Sequence, residues 1–252
     1  MKSIFIACAL VLAPSLHADP IVFNGTGAKA SLIELYSSEG CSSCPPAEAW
    51  LNDLKSAPGL WRDIFPIAFH VNYWDDLGWT DRFATPAFTE RQRNYAARLG
   101  QESVYTPEFI VDGREWQRSW LSHQVPDGAA AKQGELALQI DPRDQKYSAR
   151  YVPAASGASS GLTLNVALLG FGVVSNVERG ENGGERLRHD FLVLGLDSSP
   201  LNPGSAGAFT AGPRKITSVT GQVPGAVVAW VSDPSGKILQ IAGGWLGPKP
   251  AP

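Results

Sequence analysis

Apolar and polar positions follow two different rhythms along this chain. In the first half, Ser31-Leu32-Ile33-Glu34-Leu35-Tyr36 is a strand-like run, and Ala47, Trp50, Leu51 and Leu54 then recur at i, i+3, i+4 and i+7, one face of an amphipathic helix. Pro66-Ile67-Ala68-Phe69-His70-Val71 reads as a buried strand. Thr85-Pro86 opens a second helix, with Thr85 as N-cap and Pro86 at the first helical position. Phe88, Tyr95, Ala96 and Leu99 share its inner face, and Gly100 stops it. Val104 to Gly113 predicts a strand opened by Pro107 and closed by an Asp112-Gly113 hairpin turn. Alternation of strand-like and helix-like segments over about 31–120 is the pattern of an α/β layer fold.

Val125 to Gly134 is rich in Gly and Ala and reads as a linker. Beyond it the period changes to two. Leu162, Leu164, Val166 and Leu168 alternate with their neighbours, as do Phe191 and Val193. Val227 to Val231 and Lys237 to Ile241 flank an Asp233-Pro234-Ser235-Gly236 turn, a hairpin signal. These features predict an antiparallel β-sandwich for the second half.

The first eighteen residues have the layout of an export signal: Lys2, an apolar core from Ile4 to Leu12, and a small Ala18 at the expected cleavage point. That core is too short to span a bilayer, so no stable membrane anchor is expected after cleavage. The expected setting is the periplasm, or the exterior if the source lacks an outer membrane. The net charge of -3 and the absence of a Lys/Arg cluster argue against nucleic acid as a partner.

Export changes the meaning of the cysteines. The chain has three, and Cys8 lies in the signal, which leaves Cys41 and Cys44 alone in the mature protein. Gly40-Cys41-Ser42-Ser43-Cys44-Pro45 falls where the first strand turns into the first helix, and a helix N-terminus stabilises a thiolate. A pair closing so small a loop is a poor staple, because long loops give the larger entropic gain. Three readings stand: a redox-active dithiol, an inert disulfide, and a Cu(I) or zinc clamp that adds His70 as a soft-metal ligand.

The order strand, Cys-x-x-Cys, helix, strand, helix, Thr-Pro, strand, turn resembles a thioredoxin-like domain. More closely, the chain resembles a family of exported bacterial thioredoxin-like proteins catalogued as a domain of unknown function. The resemblance is carried by Ile33 to Ala47, by His70-Val71-Asn72-Tyr73-Trp74-Asp75-Asp76-Leu77-Gly78-Trp79, and by Pro86 to Gln92. Val104-Tyr105-Thr106-Pro107 and Gly180-Glu181-Asn182-Gly183-Gly184 through Arg188-His189-Asp190 complete it.

The resemblance implies an α/β thioredoxin-like domain over 31–125, followed after a linker at 126–134 by a mainly antiparallel β-sandwich-like domain over 135–247. An N-terminal segment (19–30) and a tail (248–252) flank them. It also implies a thiol–disulfide oxidoreductase acting on protein thiols and disulfides without a cofactor. Cys41 would attack and Cys44 resolve, and the two would form a disulfide. Pro107 would be a cis-proline, and Thr106 would dock substrate backbone. Glu34 would relay protons to the resolving cysteine, although one extra residue separates it from the motif. The family pattern is departed from at Gly40, where an aromatic residue is usual, and at the Ser42-Ser43 interior.

Beside each role stands a plainer account. Glu34 on an apolar strand could be edge-exposed or salt-bridged, and Pro107 could be a trans residue starting an edge strand. Tyr73 and Trp74, in the loop that ends at Trp79, are candidate substrate-binding residues in a cleft wall or lid, or else packing anchors for a long connection. His189-Asp190, with Arg186 and Glu181, reads either as a second polar site or as a hairpin that contacts the other half.

Overall fold

The structure is a computed structural model that describes residues 19–25, 30–117, 133–154, 160–218 and 220–250. The expected signal at 1–18 and residues 126–132 of the expected linker lie outside the described residues. The strands of the first half are β1 (Ile21–Asn24), β2 (Ser31–Ser37), β3 (Ile64–His70), β4 (Glu108–Val111) and β5 (Arg114–Glu115). Two helices, α1 (Pro45–Asp53) and α2 (Pro86–Leu99), lie among them. Next come β6 (Glu135–Asp141), β7 (Lys146–Val152), β8 (Thr163–Gly170), β9 (Val173–Asn176) and β10 (Arg186–His189). The last are β11 (Leu192–Pro200), β12 (Asn202–Pro203), β13 (Phe209–Lys215), β14 (Ala226–Ser232) and β15 (Ile238–Trp245).

The α/β thioredoxin-like domain with a separate sandwich is not what this chain forms. Of the described residues, 43% are strand and 15% helix, with only two short α-helices. The reason is one shared sheet. Eight strands run in the order β15-β14-β8-β11-β3-β2-β4-β5, so strands from both halves belong to one surface. The seam is β11 alongside β3, parallel, with Leu192 opposite Ala68 and the Ala68 N–H donating to the Phe191 carbonyl at 2.9 Å. β2 and β3 are parallel over seven residue pairs, whereas β4, β5, β8, β14 and β15 join antiparallel.

A second sheet, β1-β6-β7-β13-β12, is antiparallel throughout and covers one face of β8 and β14. Leu136, Leu138, Ile140 and Tyr147 from it meet Leu164, Val166, Leu168, Val227 and Val231 across that interface. The alternate residues of the same strands, Ala167, Leu169, Val228 and Trp230, join the larger core with Leu35, Phe69, Leu51 and Phe88. β8 and β14 are therefore buried on both faces, the environment that favours continuous apolar runs.

The two helices pack on opposite faces of the central strands, and strand alternation shows why. Ser37 of β2 bonds Glu48 of α1, while Glu34, three residues away and so on the other face, bonds Arg91 and Tyr95 of α2. Thr85 caps α2 by accepting the Phe88 N–H at 3.2 Å, and Gly100 ends it at φ 71°. Leu99, expected on the inner face, is exposed. The Asp112-Gly113 turn has positive φ at both residues, the geometry that matches strand twist in a two-residue hairpin.

A shared sheet makes a prediction. Leu168→Ala, between the two sheets, should cost about 2–5 kcal/mol. Wild type and variant should each unfold in one denaturant transition, coincident by tryptophan fluorescence and far-ultraviolet circular dichroism. Two separated transitions would refute a single cooperative unit.

Candidate functional site

β2 ends at Ser37, and the chain turns through Gly40 before α1 begins. Gly40 is required by closeness rather than by φ: a Cβ there would stand 3.0 Å from the Cβ of Trp74. This explains the missing aromatic residue before Cys41, since the 73–79 loop occupies that space. Cys41 and Cys44 form a disulfide with Cα atoms 5.4 Å apart, and both residues are 0% exposed. Cys44 is the residue that caps α1.

The helix terminus offers less than the sequence suggested. Pro45 and Pro46 carry no N–H, and the N–H groups of Ala47 and Glu48 both donate to the Cys44 carbonyl. What remains for a Cys41 thiolate is the helix dipole and the Ser43 hydroxyl, whose oxygen lies 3.3 Å from the Cys41 sulfur.

A segment from the second half covers the disulfide. Asn182 is buried, and its side-chain amide donates to the carbonyls of Glu39 at 2.8 Å and Cys41 at 3.0 Å. Glu181 accepts from the Ser42 hydroxyl at 2.7 Å and the Ser42 N–H at 3.1 Å, which holds its carboxyl below the usual range. This loop meets the 73–79 loop through Gly78 and Gly180: a Cβ on Gly78 would lie 3.5 Å from the Gly180 Cα.

Trp74 donates from its indole to Thr106 at 2.8 Å, and the Thr106–Pro107 peptide is cis. Tyr73 donates to Gln92 at 3.3 Å. The structure thus links Gly40, Trp74 and Thr106 in a chain of contacts that starts at the residue before Cys41. Glu34 is not among them. It is buried on the α2 face, with Tyr95 donating at 2.5 Å, Arg91 at 2.9 Å and Tyr36 at 3.1 Å.

The acids on the α1 face are Glu39, Glu48 and Asp81, and with them lie His70 and His189. His70 Nδ1 and Asp81 are 2.6 Å apart, His189 Nδ1 and Glu48 2.5 Å, and His189 Nε2 and Glu39 3.2 Å. His70 Nε2 faces Glu48 at 3.6 Å. Trp79 donates to the other Glu39 oxygen at 2.7 Å. Burial pulls His189 down, but Glu48 first and then Glu39 overrule it and hold the ring up to about 10. His70 is likewise raised, with Asp81 and Glu48 outweighing burial. Burial pushes Glu48 and Asp81 up, yet the imidazoles beside them leave both net lowered.

His70 is therefore a neighbour of Glu48 and His189, and those three are the metal-competent group among the described residues. The cysteines are spent on each other. Lys55 pairs with Asp190 at 2.9 Å, and Asn52 bonds the backbone at Arg188 and Asp190, so α1 and the strand that follows it in space are fastened beyond the cluster too. Sequence reasoning passed over Glu39, Glu48 and Asp81. Only the acid in the first turn of an otherwise apolar helix face hinted at Glu48.

The sequence model of the family described as protein of unknown function (DUF1223) matches residues 32–229. Two solved structures are similar. One is the X-ray structure of a protein from Agrobacterium tumefaciens, 21% identical with a TM-score of 0.57, covering 89% of this chain and 97% of that one. The other is HBP35 of Porphyromonas gingivalis, 19% identical with a TM-score of 0.60, covering 88% of this chain and 76% of that one. At these identities the likeness is one of fold. No curated protein matches the chain.

The ionic cluster sets a pH dependence. In chelator-treated protein it stabilises the fold most between the ordinary carboxylate and imidazole values. The lowered acids, Glu48 and Asp81, give stability that is lost as pH falls through their folded values. The raised imidazoles give stability that is complete below the unfolded value and lost as pH rises through the folded value, near 10 for His189. Denaturant midpoints across pH should show that maximum, and His189→Gln should flatten the alkaline limb. Separately, Asn182→Ala should cost about 1–3 kcal/mol, because two buried carbonyls lose their donor. It should also speed reduction of the disulfide by a small thiol; an unchanged rate would mean the loop does not shield it.

Proposed function

The chain belongs to the family described as protein of unknown function (DUF1223), and we propose that within it this protein is a thiol–disulfide exchange protein acting through Cys41 and Cys44. The observation that carries the reading is the disulfide itself, the sole cysteine pair outside the expected signal, set at the start of α1. A loop this short contributes only about 2 kcal/mol by chain entropy, against nearly 5 for a loop of about 100 residues. A molecule with two large cores has little need of that increment, so selection for stability is a weak account of the bond.

In the reduced protein the Cys41 thiolate attacks a substrate disulfide and forms a mixed disulfide, releasing one substrate thiolate. Cys44, deprotonated in turn, attacks the Cys41 sulfur, closes the protein disulfide and releases the second substrate thiolate. Two electrons pass from protein to substrate, and the reverse sequence oxidises a substrate dithiol. Ser42 and Ser43 are exposed while both sulfurs are covered, so approach to Cys41 runs through release of Asn182. Trp74 and Thr106 supply the wall against which a substrate segment would lie. Protein thiols in an export compartment are the substrates we infer.

A redox titration of the mature protein tests this. We expect a potential above about -300 mV, in the range of exchange-active pairs; a value below that marks a structural bond and ends the proposal. Cys44→Ser should accumulate mixed disulfides through Cys41 when exposed to oxidised protein substrates.

A further inference from the structure

We propose that Glu48, His70 and His189 form a binding site for a divalent transition-metal ion of the zinc class. The proposal does not depend on the redox activity of the cysteines.

The three residues come from α1, β3 and β10 and are all buried. Their ligand atoms lie within 4.8 Å of one another. The Glu48 carboxylate stands between the rings, one oxygen toward His70 and the other toward His189, and the ring centroids are 4.9 Å apart. Ligands on a tetrahedral ion with bonds of about 2 Å stand roughly 3.3 Å from each other, close to the 3.6 Å between His70 Nε2 and Glu48.

A second observation points to a ligand independently. His70 Nε2 is fully buried and has no hydrogen-bond partner, although it is aimed at Glu48. At 3.6 Å the pair is too long for a hydrogen bond. The other nitrogen is fixed by Asp81, whose carboxylate also accepts the Glu39 and Phe83 N–H groups through its two oxygens. Asp81 thereby orients the ring so that Nε2 presents toward Glu48. Glu39 stands behind the far nitrogen of His189 in the same way, held by the Trp79 indole. Each candidate imidazole thus has a carboxylate behind it, the arrangement that fixes the tautomer and raises the basicity of metal-binding histidines. A metal ion between the three would satisfy His70 Nε2 and take the place of the His189 Nδ1–Glu48 hydrogen bond.

The donor set selects the class. Two imidazoles favour a transition ion over magnesium or calcium, and a carboxylate in place of thiolate disfavours Cu(I). Deep burial of all three side chains suits an ion that ties α1 to β3 and β10.

The test uses chelator-stripped mature protein with its disulfide intact. Zinc chloride should bind at one ion per chain by calorimetry and elemental analysis, and raise the unfolding temperature. Cobalt(II) should give visible tetrahedral bands without thiolate charge-transfer absorption. His189→Gln should abolish binding, Asp81→Asn should weaken it about 10–100-fold, and the Cys41→Ser/Cys44→Ser double variant should retain it. Absence of a retained ion in the wild type, a thiolate signature with cobalt, or loss in the cysteine variant would each overturn the site. Should His189→Gln fail to fold, the wild-type cobalt spectrum decides.

Discussion

A carboxylate buried one helical turn after a disulfide is the constraint on which this molecule's arrangement depends. Glu48 is enclosed, and its charge must be balanced where water cannot do it. Ser37 of β2 and His189 of β10 hydrogen-bond it, and His70 of β3 faces it. Three strands and a helix are thereby tied at one point. Removing one partner from such a group costs about 3–5 kcal/mol, mostly because an uncompensated charge stays behind. Apolar packing holds the sheets together, but it does not choose which loop lies over α1. The ionic contacts do.

The other face of the same strands is built differently. Glu34, Arg91, Tyr95 and Tyr36 form an equally buried ionic group, yet each polar group there has a closely matched partner. Arg91 also lies over the rings of Phe69 and Trp230, which joins α2 to both halves of the shared sheet. That group is complete and structural in character. The group around Glu48 has three carboxylates, two imidazoles and one ring nitrogen without a bond. An unfilled valence in a buried polar network marks the side of the sheet where chemistry is to be sought.

Much of the local structure was legible. Thr85-Pro86, Gly100 and Asp112-Gly113 announced α2 and the β4–β5 turn, because caps and tight turns depend on a few adjacent residues. The position of the cysteines between β2 and α1 was legible for the same reason. What failed was the division into two domains. The alternating pattern at β8 and the hairpin signal at β14 suggested strands of a separate sandwich, whereas both strands are covered on both faces and carry apolar residues on both. Pairing of β11 with β3 involves residues more than a hundred positions apart and rests on little more than Leu192 opposite Ala68. No local pattern encodes such a contact. Glu34 misled for a related reason: an acid in an apolar strand is conspicuous, but its face is set by register, and register put it beneath α2.

The candidate site exists because of that seam. β8 ends at Gly170, opposite Leu192 at the start of β11, so β9 and β10 form an excursion between two paired strands, and β11 on its other side lies against β3. The excursion is the β9–β10 hairpin, and the turn at Asp190-Phe191, with Phe191 at φ 59°, returns the chain into β11. Glu181, Asn182, His189 and Asp190 all lie on this excursion, and each is bonded to the 41–56 region or to Glu39. The cover over the disulfide and the imidazole beside Glu48 are thus consequences of one topological choice. A chain folding as two independent domains would have neither.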